Sequence, residues 1–91
     1  MNTIELLDII SAGETSTVQF KQEMDDDKFV AEMIAMSNSK GGTILVGVQD
    51  KTGEITGLTY EQLQSYNNCL ASAINDKVKP QIYIETEVIT V

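Results

Sequence analysis

The fold turns on Met36-Ser37-Asn38-Ser39-Lys40-Gly41-Gly42-Thr43-Ile44-Leu45-Val46-Gly47-Val48-Gln49-Asp50. Its second half, Thr43 to Val48, is a near-continuous apolar run, which suits a central strand covered on both faces. Ahead of that strand, Gly41-Gly42 stops a helix; the pair reads as a cap and turn rather than as a loop presenting N–H groups to a phosphate. Phe29, Val30, Met33, Ile34 and Met36 supply the apolar face of that helix. Asp25-Asp26-Asp27 stands at its mouth, where carboxylates complement the positive end of the helix dipole. Three consecutive acids there cannot all converge on one ion, so they read as a cap and solvated charge. Gly47, inside the strand, reads as a place where a helix packs close.

Working outward, Thr17-Val18-Gln19-Phe20-Lys21 alternates, with Val18 and Phe20 on one face and Gln19 and Lys21 on the other, as in a half-buried strand. Before it, Thr3 can cap a first helix whose apolar face is Ile4, Leu6, Leu7, Ile9 and Ile10, closed by Gly13. On the other side, Asp50-Lys51-Thr52-Gly53 has turn chemistry and Glu54 to Leu58 reads as the returning strand of a hairpin. Leu63, Tyr66, Leu70, Ala73 and Ile74 repeat at helical spacing over Thr59 to about Asp76, and Pro80 marks the exit. Ile82 to Val91 is rich in Ile, Val, Thr and Tyr and is strand-like. The expectation is one α/β (α+β) domain over 1–91, with two to three helices on a mixed sheet of about four strands. Glu87 to Val91 carries no turn signal or polar tail, and a bare apolar strand end is an aggregation hazard. The chain is therefore expected to be the N-terminal fragment of a longer protein, truncated at the C-terminus.

Composition narrows function. The 91 residues carry 14 Asp+Glu against 6 Lys and neither Arg nor His, a net charge of -8. Without His there is no Ser-His-Asp triad, no Cys-His pair and no His-ligated zinc. The single Cys69 excludes an internal disulfide or a CxxC site and fits a reducing, cytoplasmic compartment; beside Leu70 it reads as a buried thiol. Met24, Met33 and Met36 read as core fillers. No apolar run approaches the ~20 residues of a membrane span. A chain this short buries only about 60–65% of its unfolded surface, so association with another domain or a second copy is expected to help hold it. The acidic balance opposes charge-driven nucleic-acid binding, which depends on cations neutralising phosphates.

Three stretches carry a family resemblance. Gly13-Glu14-Thr15-Ser16-Thr17-Val18-Gln19-Phe20-Lys21 resembles the "GES-x-x-VEFK" opening of the Schlafen-type AlbA-like domain. Met36 to Asp50 resembles that family's "FANTKGGTLLIGVDD", and Gly53-Glu54-Ile55-Thr56-Gly57-Leu58 its "G-x-I-x-GL". Lys79-Pro80 falls where the family often has a proline. The resemblance spans roughly residues 11–91 in the right order. It implies a small α/β domain described as DNA- or nucleic-acid-binding, found at the N-terminus of bacterial transcriptional regulators ahead of further domains. In animal relatives it implies an RNA endonuclease built on three acidic residues. Those positions here are Glu14, Gln19 and Asp50.

The middle position departs from the pattern. Hard cations such as Mg²⁺ are held by anionic oxygens, and an amide brings no charge and cannot serve as a general base. Glu23, two residues beyond Lys21 on the same face of a regular strand, is a candidate replacement for the missing carboxylate. The reading that follows is a non-catalytic nucleic-acid-binding domain, DNA first, without a cofactor. Lys21, Lys40 and Lys51 are its expected phosphate contacts and Asn38 and Ser39 its polar ones. Two alternatives stand beside it. One is a metal-dependent RNase with a degraded triad, using Glu14 and Asp50 as weak metal candidates together with Lys21. The other is a protein-interaction or dimerisation module.

Overall fold

The computed structural model describes residues 1–24, 26–76 and 85–91. The first helix, α1 (Thr3–Ala12), is capped by Asn2 rather than Thr3: the Asn2 side chain accepts the Glu5 N–H at 2.8 Å. Gly13, at φ +86°, closes it by donating its N–H to the Ile10 carbonyl at 3.1 Å. Strand β1 (Val18–Lys21) leads to α2 (Asp26–Asn38), which crosses over to β2 (Thr43–Val46), and α3 (Tyr60–Asp76) follows. A reciprocal capping box opens α3, with the Thr59 hydroxyl accepting the Gln62 N–H at 3.1 Å and the Gln62 side chain accepting the Thr59 N–H at 2.9 Å.

β1 and β2 pair in parallel, Val18 opposite Thr43 through Lys21 opposite Val46. Side chains two apart share a face, so Val18, Phe20, Thr43 and Leu45 lie on one side and Gln19, Lys21, Ile44 and Val46 on the other. Helix α2 covers the second side: Phe29, Val30 and Met33 form its buried cluster, with Met24, Ile34, Ile44, Val46 and Leu70 packed around it. On the first side Phe20 is only 2% exposed. Burying each such side chain contributes about 1.5–3 kcal/mol. The polar face expected on β1 is thus a helix-covered face, and Gln19 and Lys21 are half-buried on it.

The expected four strands reduce to two among the described residues. After Val46 the chain turns at Gly47, φ +93°, and its carbonyl receives the N–H groups of Thr56 (2.8 Å) and Gly57 (3.0 Å) and the Thr56 hydroxyl (3.0 Å). One carbonyl gathering the return segment closes a tight loop, so Glu54 to Leu58 pairs through the single bridge Val48–Ile55 instead of a ladder. The close approach that Gly47 permits is by the Gly57 backbone, 3.2 Å from where a Cβ would stand, and not by a helix. β2 is half-buried along its length rather than enclosed on both faces.

Of the expected last strand, residues 82–84 lie outside the described residues, as do Asp25, Lys77, Lys79 and Pro80. Residues 85–91 form no ladder; they lie against the start of α1, where the Met1 ammonium reaches the Glu87 carboxylate at 3.0 and 3.2 Å. The apolar face of α1 is only partly used: Leu6 is buried, whereas Ile4 and Leu7 are exposed. No helix among the described residues is long and apolar enough to cross a membrane.

Candidate nucleic-acid interface

The segment Glu14 to Lys21 builds one end of the site through its own hydrogen bonds. Thr15 and Val18 exchange backbone bonds at 2.9 and 3.4 Å, closing a tight turn into β1. Across it, the Glu14 carboxylate accepts the Phe20 N–H at 2.7 Å, and the Gln19 amide donates to the Thr15 carbonyl at 3.0 Å. A carboxylate at position 19 would face that carbonyl with nothing to donate, so the amide fits the local geometry.

Lys21 ends β1 with its carbonyl held by the Gly47 and Val48 N–H groups at 2.7 and 3.1 Å. Its ammonium pairs with Glu32 Oε1 on α2 at 2.6 Å, each side chain about one-third exposed (32% and 34%). The other oxygen, Glu32 Oε2, is buried and has no hydrogen-bond partner among the described residues. Lys21 therefore stands at the surface with its charge already engaged.

Asn38, Ser39 and Lys40 are exposed in the connection from α2 to β2. Gly41, at φ +75°, returns its N–H to the Met36 carbonyl at 2.8 Å, which is the cap-and-turn role expected of it. Asp50 and Lys51 are exposed in the turn after Val48. The Gln49 side chain organises that turn, accepting the N–H groups of Lys51 (2.6 Å) and Thr52 (2.9 Å). Because the strands are parallel, the Asn38–Lys40 connection enters the sheet at the Val18–Thr43 end, and Lys51 follows the Lys21–Val46 end. Lys21 and Lys51 thus belong to one end of the sheet and Lys40 leads in at the other. Among the described residues neither Lys40 nor Lys51 has an acidic partner within ion-pair distance.

Glu14 and Asp50 do not belong to a metal-holding group: among the described residues no three or more His, Cys, Asp or Glu side chains are placed to hold an ion. Glu23 is exposed beyond the end of β1. Glu32 is the site residue that the sequence reading passed over. The signal was present: Glu32 is the charged member of the Phe29–Val30–Met33 stretch, on the helix that must lie over β1 and β2.

Comparison with known families agrees with this frame. A family model described as Schlafen, AlbA_2 matches residues 14–91, and the chain belongs to that family. Membership points to a nucleic-acid-related domain. No solved structure matches the chain.

Proposed function

We propose that this chain is the non-catalytic nucleic-acid-binding domain of a bacterial transcriptional regulator, with DNA as its first ligand and further domains of the same protein as its neighbours. The family match over residues 14–91 carries the reading. Lys40 and Lys51 would supply phosphate contacts from the loops before and after β2, with Asn38 and Ser39 as hydrogen-bonding neighbours. Lys21 is a third contact once its ammonium is released from Glu32. Two features favour binding without cleavage. Position 19 is an amide bonded to the Thr15 carbonyl, and the Glu14 carboxylate is spent on the Phe20 N–H. Metal-assisted phosphodiester cleavage needs clustered carboxylates free to ligate.

Fluorescence-anisotropy titration with duplex DNA, single-stranded DNA and structured RNA at two salt concentrations tests this. Binding should weaken with salt, and Lys40→Ala and Lys51→Ala should each lower the slope of log affinity against log salt by about 0.7–0.9. Absence of binding to all three ligands at low salt would overturn the reading; binding unchanged in both variants would remove these lysines from the interface.

A further inference from the structure

We propose that Glu32 is a built-in competitor for nucleic-acid phosphate: its carboxylate occupies the Lys21 ammonium in the free domain, and a phosphate oxygen displaces it on binding. The inference deepens the nucleic-acid reading and rests on it. Three observations and one point of general chemistry carry it. The Lys21 backbone is pinned at the end of the sheet by two hydrogen bonds to its carbonyl, so its side chain projects from a fixed point. The ion pair is short, 2.6 Å, yet both side chains keep about a third of their surface in water, so an external anion can reach the ammonium. Toward an ammonium, a carboxylate oxygen and a phosphate oxygen are chemically equivalent acceptors. Finally, Glu32 Oε2 is buried without a partner among the described residues.

That last point decides the direction of the exchange. A carboxylate with one desolvated, unpaired oxygen is poorly satisfied where it stands. Swinging away from Lys21 returns that oxygen to water, which offsets part of the lost attraction. The pair is thus balanced to be broken by a strong anion, and it keeps Lys21 from attracting weak ones. The effect is to hold the affinity of an acidic domain low for isolated anions while leaving a third cation available to a polyanion.

The test uses the full 91-residue chain in the same anisotropy titration. Glu32→Gln retains the shape and an acceptor oxygen for Lys21 and removes the charge. It should tighten binding about three- to tenfold, and steepen the salt slope by up to about one ion, because no carboxylate is left to take up a cation. Asp8→Asn, on the exposed surface of α1, changes the net charge equally and should have less than a third of that effect. In a Lys21→Gln background, Glu32→Gln should do no more than Asp8→Asn. Wild-type binding that Glu32→Gln leaves unchanged, or changes no more than Asp8→Asn does, overturns the competitor role while the nucleic-acid reading stands. No binding by either protein overturns both. Should Glu32→Gln fail to fold, the wild-type carboxyl-carbon resonance of Glu32 gives the answer: it must move on adding ligand, and a fixed resonance in a domain that binds refutes the exchange.

Discussion

Substituting Gly42 by alanine tests whether the entry to β2 is set by backbone contact. A Cβ built there would stand 2.6 Å from the Thr17 carbonyl oxygen and 3.1 Å from its carbon, and would also meet the Met36 methyl group. Met36 is the far end of a flexible side chain and yields cheaply, but the Thr17 carbonyl is backbone in the turn that leads directly into β1. It accepts the Thr43 N–H at 2.7 Å, the hydrogen bond that leads into the Val18–Thr43 register. Relieving the overlap pushes the two backbones apart and weakens that bond. Forced backbone displacement costs about 1–3 kcal/mol and the weakened bond about 1 kcal/mol. A loss of about 2–4 kcal/mol follows, against a total stability of roughly 5–14 kcal/mol for a chain of this length. Gly41→Ala is the control. Gly41 has φ +75° but open space around it, so its variant meets the left-handed penalty alone, about 1–2 kcal/mol, reduced by a stiffer unfolded chain. Urea unfolding followed by circular dichroism should rank Gly42→Ala as the weaker protein by at least about 1 kcal/mol. Equal stability of the two variants would refute the reasoning. Rescue of Gly42→Ala by Met36→Ala would refute it too, placing the clash on the side chain and not on the backbone.

Other expectations follow from the same geometry. Lys21→Ala should destabilise the domain by no more than about 1 kcal/mol in thermal melts, the worth of a partly exposed ion pair, because the released Glu32 carboxylate can turn into water. Gln19→Glu should cost about 1–2 kcal/mol, because a carboxylate replaces the donor to the Thr15 carbonyl; it should create no Mn²⁺-dependent RNA cleavage, which a gel assay on structured RNA would detect. The Met1 ammonium has its pKa raised by its hydrogen bond to Glu87 and then by that carboxylate's charge. A raised pKa means the attachment of residues 85–91 to α1 is fully present below the ordinary value of 8.0 and fades as pH climbs through the raised one. Limited proteolysis of the C-terminal segment should therefore quicken as pH rises above about 8, and N-terminal acetylation should remove the pH dependence.

What could be read from the sequence was what local chemistry dictates. The helix over Phe29 to Met36, its stop at Gly41-Gly42 and the existence of a strand over Val18 to Lys21 all follow from periodicity and backbone freedom, and the structure has them. Helix α3 was legible for the same reason, with its capping box spelled by Thr59 and Gln62. The misreadings share another cause. The composition of Glu54 to Leu58 is strand-like, but whether it forms a ladder depends on Gly47, whose turn draws three donors onto one carbonyl. Likewise, Gln19 and Lys21 look solvent-facing in an alternating strand. Only the parallel pairing, which obliges α2 to cross over that face, reveals that a helix covers them. The Lys21–Glu32 pair lies across that crossover, eleven residues apart, and no spacing rule within one element could disclose it.

The net charge of -8 is the main objection to a nucleic-acid role, and the structure changes how it should be weighed. At physiological salt a charge is screened over about 8 Å, so acids on remote faces of the domain hardly bear on a lysine at a phosphate. A carboxylate 2.6 Å away does. The relevant count is therefore how many lysines can be presented without a carboxylate in contact, not the sum over the chain. Among the described residues Lys40, Lys51 and a released Lys21 make three, at about 0.9 counterions each on duplex DNA. These three contacts make affinity fall about 40-fold between 50 and 200 mM salt, a shallow dependence for a DNA-binding protein. Such a surface cannot supply tight binding alone. It suits a domain whose contribution is multiplied by a second copy or by another binding unit on the same chain, where a weak contact at high effective concentration suffices. In that arrangement an acidic body is an advantage: it suppresses attachment to stray polyanions, and leaves the few exposed lysines to act only where the rest of the assembly has already brought them.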